Sequence, residues 1–304
     1  MPMVSPPFLN PGSLFRIVSP AGKMAGVHIQ PVAEWLQASG FSVEWGNHVS
    51  GSHYQYSGTD EERLDDLQEA LDDPRVNAIL CSRGGYGTLR IIGQLDFSAF
   101  SKHPKWVIGY SDITVLHNRL HELGYRSVHG QMCRHALDEN SHPLEGFASL
   151  MKLLQGEELE YRWPSLPVNR HGETKAPLTG GNLSLLYSLM GTPFDVDTRG
   201  KILFIEEIGE YLYHLDRMMV SLRLAGKLKH LAGLVAGYFT DMKDNEEPFG
   251  KSVEEVILDA VRGYDFPVAF GFPAGHDHPN LALMTGGNYH LKINGELSVL
   301  KLTP

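Results

Sequence analysis

Cysteine is nearly missing from this 304-residue chain, which has only Cys81 and Cys133. They stand far apart and outside any CxxC spacing, so a disulfide framework or thiolate zinc site has no support, and both read as small buried apolar side chains. Long apolar runs are missing too. The longest, such as Leu231 to Phe239, reach about half of the roughly 18 residues that a bilayer span needs. No basic cluster offers a track for a phosphate backbone, and 26 Lys and Arg against 36 Asp and Glu leave a net charge of −10. That balance argues against a nucleic-acid partner. Met1 to Ser13 holds a Pro-Pro pair and no Lys or Arg, against a secretory leader, so the chain reads as cytoplasmic, with no membrane contact. No fixed-period repeat points to a solenoid or propeller.

What is present is an ordinary globular composition, 42% hydrophobic and 20% charged, in a chain long enough for about two domains. The first half alternates short β-rich runs with helical periodicity. Strands are expected at Leu14–Val18, Phe41–Trp45, Asn77–Ser82, Trp106–Gly109 and Ser127–Gly130, with helices near Val27–Ala38 and Glu61–Leu71. This is the pattern of βαβ units, and it predicts an α/β fold with a doubly wound, mainly parallel N-terminal domain whose ligands gather at the carboxyl ends of the strands. Residues 1–156 form that domain, 157–175 read as a linker because periodicity fades into prolines and charges, and 176–304 form a smaller mixed α/β domain. Within the latter, helices are expected at Leu183–Met190 and Leu212–Leu224, strands at Lys201–Ile205 and Leu231–Ala236, and a hairpin at Asn294-Gly295.

The richest chemistry lies at strand ends. Trp106 to Asp112 runs from a strand straight into a helical pattern, placing Ser111 at the turn. There it suits a nucleophile whose oxyanion is met by the next N–H, that of Asp112, but spacing alone favours a helix N-cap, because Ile113 stands where a G-x-S-x-G elbow has its second glycine. Arg83-Gly84-Gly85-Tyr86-Gly87 also closes a strand. Its glycines can aim N–H groups at an anion beside Arg83, or form a plain turn. Among 15 histidines, His117 and His121 have helical metal-pair spacing but read more simply as a solvated face. His276 and His278 follow Val268–Phe272 in a strand-end loop that can hold one of them at an active site or be a plain polar turn, and Glu206 ends a buried-looking strand beside Glu207 and Glu210, which together also fit a solvated acidic edge.

Taken jointly, Arg83-Gly84-Gly85-Tyr86-Gly87, Gly109-Tyr110-Ser111-Asp112, Gly180-Gly181-Asn182-Leu183, Gly191-Thr192-Pro193, Leu203-Phe204-Ile205-Glu206 with Asp216-Arg217-Met218, and Gly275-His276 closely resemble the LD-carboxypeptidase family over nearly the whole chain. The resemblance implies a cytoplasmic serine peptidase that removes the terminal D-alanine of murein tetrapeptides, with no metal or organic cofactor, acting as a homodimer. By matched motif it makes Ser111 the nucleophile, His276 the general base and Glu206 the carboxylate orienting it. Backbone N–H groups of Asp112 and Gly85 become the oxyanion hole, while Arg83 and Gly84 meet the substrate. Two other readings stand beside it: a related self-immunity hydrolase acting on a peptidyl nucleotide, and a non-catalytic binder of small anions. No role is assigned to the Met1 to Gly12 segment.

Overall fold

The computed structural model describes residues 3–303; Met1 and Pro2, part of the N-terminal segment with no assigned role, lie outside them. The chain divides into two compact units, Met1–Glu158 with Pro279–Met284, and Leu159–His278 with Thr285–Pro304.

The first unit is built on strands β1 (Leu14–Val18), β2 (Ser42–Trp45), β3 (Val76–Cys81), β4 (Trp106–Gly109), β5 (Ser127–His129) and β11 (Leu283–Thr285), in the order β11-β5-β4-β3-β1-β2. Pairings from β2 through β5 are all parallel. β1 and β4 are buried throughout, as strands covered on both faces by helices must be. Those helices are α1 (Gly26–Ala38), α2 (Asp60–Asp72), α3 (Thr88–Ile91), α4 (Thr114–Glu122) and α5 (Glu145–Leu154). α2 starts where its sequence says it should: Thr59 and Glu62 form a reciprocal capping box ahead of three acidic first-turn residues. The order 2-1-3-4-5 reverses direction between β1 and β3, and the crevice beyond the carboxyl ends at such a reversal is where ligands of open α/β sheets bind. The residues that follow these strand ends are Ser19–Ala25, Ser82–Gly87 and Tyr110–Ser111. The described part of the N-terminal segment is tied down: Leu9 N donates to Leu154 O at 2.8 Å, and Trp106 Nε1 to Pro7 O at 2.9 Å.

The second unit holds a seven-stranded sheet ordered β10-β9-β8-β7-β12-β13-β6, with β6 (Glu160–Pro164), β7 (Gly172–Asn182), β8 (Ile202–Ile208), β9 (Gly233–Thr240), β10 (Val268–Ala269), β12 (Asn288–Ile293) and β13 (Leu297–Thr303). β7 joins two regimes. Gly172–Pro177 pairs antiparallel with β12, whereas Leu178–Asn182 pairs parallel with β8. Helices α6 (Leu183–Leu189), α7 (Leu212–Leu224) and α8 (Val253–Ala260) cover the parallel part, packing Leu215, Met218 and Leu222 against Leu203, Ile205 and Leu234. The hairpin at Asn294-Gly295 is present between β12 and β13, and the Asn294 carboxamide oxygen accepts from Glu296 N and Leu297 N.

Residues 157–175 differ from the expected linker: β6 and the start of β7 occupy much of them. β6 is the sheet's edge, exposing Glu160, Arg162 and Pro164 while burying Tyr161 and Trp163. Charges and proline on an outer edge deter further pairing; from sequence they look like a connection.

Candidate active site

In the first unit β4 ends at Gly109, Tyr110 stays extended, and Ser111 turns to φ +63° before a short 3-10 turn leads into α4. An L-residue other than Gly, Asn or Asp in the left-handed region is costly and persists where the surroundings over-determine it, as in the strained strand-to-helix elbow that presents a nucleophilic serine. The N-cap alternative is not what is found: the cap positions are Tyr110 and Ile113, neither with a side-chain capping bond. Gly84 lies against the elbow, where a Cβ would come 2.8 Å from Ser111 Cβ and 3.0 Å from its Oγ, so this approach requires glycine. Gly85 follows at φ +109°. Arg83 is exposed, its Nη1 donating to Lys23 O at 3.0 Å.

Two carboxylate and imidazole groups near the elbow have structural work. The fully buried Asp112 side chain accepts from Thr88 N at 2.8 Å, and burial raises its pKa. His117 and His121 are 1% and 8% exposed, which corrects the solvated-face expectation. The reason is that α4 turns this side toward the sheet. His117 lies 2.8 Å from Gly109 O and 2.8 Å from Ser127 Oγ. Since a carbonyl can only accept, Nε2 carries the proton and Nδ1 accepts from the serine hydroxyl; burial lowers this pKa to about 4, so the ring is a neutral clamp. Among the described residues no group of three or more His, Cys, Asp or Glu could hold a metal. Cys81 and Cys133 are buried thiols with raised pKa values.

In the second unit Glu206 sits on β8 with no exposure, and its Oε2 lies 2.6 Å from His276 Nδ1. Burial pushes the His276 pKa down, but the charge and hydrogen bond of Glu206, with Glu207 behind, outweigh it and the net shift is upward. With Nδ1–H donated to a carboxylate, Nε2 is the nitrogen left to act as a base. Gly275 (φ +127°) makes this contact possible, because a Cβ there would sit 3.0 Å from both Cβ and Oε2 of Glu206. Glu207 is buried too: it accepts from Asn182 Nδ2 at 2.9 Å, Ser184 N at 2.7 Å and Ile208 N at 2.9 Å, fixing the entry to α6. Burial raises its pKa. The solvated acidic edge is thus corrected. β8 lies inside the sheet between β7 and β9 and is buried from Ile202 to Glu207, so carboxylates on both of its faces go inside. Glu210 instead holds His214 at 2.6 Å, and His278 is exposed. Sequence reasoning missed the His117 clamp and the Asn182–Glu207 brace; the second had a signal in Gly180-Gly181-Asn182-Leu183, a polar residue just before a helix.

An α/β sheet with a strained serine at one strand end, and a second unit carrying a buried carboxylate on an imidazole, hold the parts that a serine hydrolase uses. Residues 15–130 match the LD-carboxypeptidase N-terminal domain and 175–291 the LD-carboxypeptidase C-terminal domain. A probable murein peptide carboxypeptidase of Bacillus subtilis is 36% identical over 97% of this chain and 94% of its own. The crystal structure of muramoyltetrapeptide carboxypeptidase from Oxalobacter formigenes superposes with a TM-score of 0.86 at 28% identity, over 96% of this chain and 99% of that one. The microcin C7 self-immunity protein MccF, solved with aspartyl sulfamoyl adenosine, shares the fold (TM-score 0.85, 21% identity, 99% and 98% covered). The chain belongs to the LD-carboxypeptidase family.

Proposed function

We propose that this chain is a serine carboxypeptidase that releases the C-terminal D-alanine from murein tetrapeptides, with Ser111, His276 and Glu206 as its triad. His276 Nε2 takes the Ser111 proton as Oγ bonds to the carbonyl carbon of the L,D amide. The backbone N–H groups of Asp112 and Gly85 receive the oxyanion, and His276 returns the proton to the nitrogen of the departing D-alanine. Water then repeats the sequence on the acyl-serine, and the acid is released. Glu206 holds the imidazole in one tautomer and supports its cationic form. Arg83, one residue from Gly84, meets the carboxylate that defines a carboxypeptidase substrate.

The observation that carries the chemistry is the buried 2.6 Å bond from His276 Nδ1 to Glu206, which commits one ring nitrogen and readies the other. Kinship over nearly the full length with murein carboxypeptidases supports the substrate. Among the described residues no helix is long and apolar enough to cross a membrane. Family resemblance supports a cytoplasmic homodimer, which sedimentation of the pure protein tests. The activity is tested by incubation with a murein tetrapeptide beside an aminoacyl-adenylate analogue, followed by mass: loss of one D-alanine is expected, and cleavage of the nucleotide analogue alone overturns the assignment.

A further inference from the structure

In the second unit the loop that carries His276 is tied to the end of β9 at three places. Phe272 N donates to Ala236 O at 3.2 Å, Tyr238 N donates to Ala274 O at 2.8 Å, and the Tyr238 hydroxyl donates to His278 O at 3.2 Å. The approach is so close at Gly237 that a Cβ there would collide with Ala274 O. The last two bonds come from one residue, and they land two residues before His276 and two residues after it. The main-chain bond to Ala274 is one that any residue but proline could make. The bond to His278 needs a side chain that reaches past the loop and ends in a donor, and tyrosine supplies both the length and the hydroxyl. His278 is also where the chain leaves the second unit, which resumes at Thr285. An anchor at His278 therefore closes the loop within the unit that holds Glu206, and residues 275–277, with the imidazole in their middle, are fixed at both ends. Such support matters because a catalytic group has to be held within about 0.5 Å of its productive position.

We propose that Tyr238 is a positioning residue for the reaction: its hydroxyl holds the far end of the base loop, so that His276 keeps Nδ1 on Glu206 and presents Nε2 in one place. This rests on the reading of His276 as the general base. Burial and the charges of Glu206 and Glu207 on β8 set the titration of His276. The Tyr238 phenol is on β9 and neutral near pH 7, so removing its hydroxyl alters neither charge. A change in how His276 titrates after that removal reports a change of position.

The test is Tyr238→Phe, which deletes one oxygen and keeps both the ring and the main-chain bond to Ala274. With a murein tetrapeptide as substrate, kcat is expected to fall about three- to tenfold, the range that one neutral hydrogen bond commands, while KM stays within about twofold of wild type. The acid-side midpoint of kcat/KM moves down by about half a unit, because a looser loop leaves burial in place but weakens the hold of Glu206. A role in folding alone would lower the midpoint of a urea melt and leave kcat and the pH midpoint unchanged; that result overturns the proposal. So does wild-type behaviour in every measurement, and so does a rise in KM at constant kcat, which makes the hydroxyl a substrate contact. A measurement without turnover keeps this proposal apart from the activity. The Nδ1 proton of the 2.6 Å bond between His276 and Glu206 is followed by proton NMR and assigned by its loss in His276→Gln; its exchange with water is expected to be faster in Tyr238→Phe. If the wild type cleaves no tetrapeptide, the carboxypeptidase reading fails, and the proton still decides the matter of the loop: an exchange rate equal to wild type shows that Tyr238 does not hold it.

Discussion

The two units each bury a histidine and treat it in opposite ways. In the first, His117 is sealed between a carbonyl and a hydroxyl, with no carboxylate against it, and burial alone drives its pKa down to about 4. In the second, His276 is also largely buried, yet Glu206 at 2.6 Å reverses the sign of the shift. One partner decides the outcome. Neutral partners make a histidine a fixed strut; a buried carboxylate makes it a group that can gain and lose a proton near neutral pH.

The sharpest way to break this contrast is through the chemistry it serves. Ser111→Ala is expected to lower kcat by roughly 10⁴ or more with the fold intact, as loss of a triad nucleophile does; a variant that keeps a tenth of the wild-type rate removes Ser111 from its role. Glu206→Gln is next, at about 10³ to 10⁴ in kcat, because an amide can present its NH₂ to Nδ1 and fix the wrong tautomer. Glu207→Gln is expected to act mainly on stability, by about 1–3 kcal/mol, since one of the two oxygens that accept its three bonds becomes an NH₂ while the Glu206 bond to His276 stays in place. Urea melts and kcat measured side by side on the two variants decide the matter, and the reverse ranking would make Glu207 the orienting carboxylate.

Much of the first unit was legible in the sequence because its strands are short apolar runs between amphipathic helices; β1 and β4 have the expected bounds, β2 and β5 differ by a residue at one end, and β3 is shifted by one residue at both ends. What escaped was whatever depends on a local break of period or on partners distant in sequence. Alternation along a strand beside further acidic residues suggests one face in solvent, whereas β8 lies between β7 and β9 and is buried on both faces, so Glu206 and Glu207 are both inside. From spacing alone Ser111 read more readily as a cap than as a nucleophile, because spacing does not report φ. His117 was read as solvated since its partners, Gly109 and Ser127, are eight and ten residues away on two strands.

The pH profile sharpens the comparison further. His276 must be neutral to accept the Ser111 proton, so kcat/KM is expected to fall on the acid side with a midpoint above the ordinary histidine value of 6.5, as its raised pKa requires. Removing the Glu206 charge removes the main upward influence, and Glu206→Gln is expected to move the residual activity's midpoint downward by about a unit or more. A midpoint that stays in place in that variant means that another group controls the limb.

The smallest effect concerns stability, and the two histidines pull it in opposite directions. His276 binds its proton more tightly folded than unfolded, so its contribution is fully present below about pH 6.5 and is lost as pH rises through its raised pKa. His117 binds its proton less tightly when folded. Its contribution is present above about pH 6.5 and is lost as pH falls from there to its folded value near 4, where the buried ring must accept a charge with only a carbonyl and a hydroxyl to meet it. Inside that window one such proton costs up to about 1.4 kcal/mol per pH unit. Urea melts of the wild type and His117→Gln at pH 6.5 and pH 5 test this: the variant is less stable at the higher pH, having lost the clamp, but its stability falls less steeply toward acid. Equal slopes would place the acid-sensitive proton elsewhere and leave His117 as packing alone.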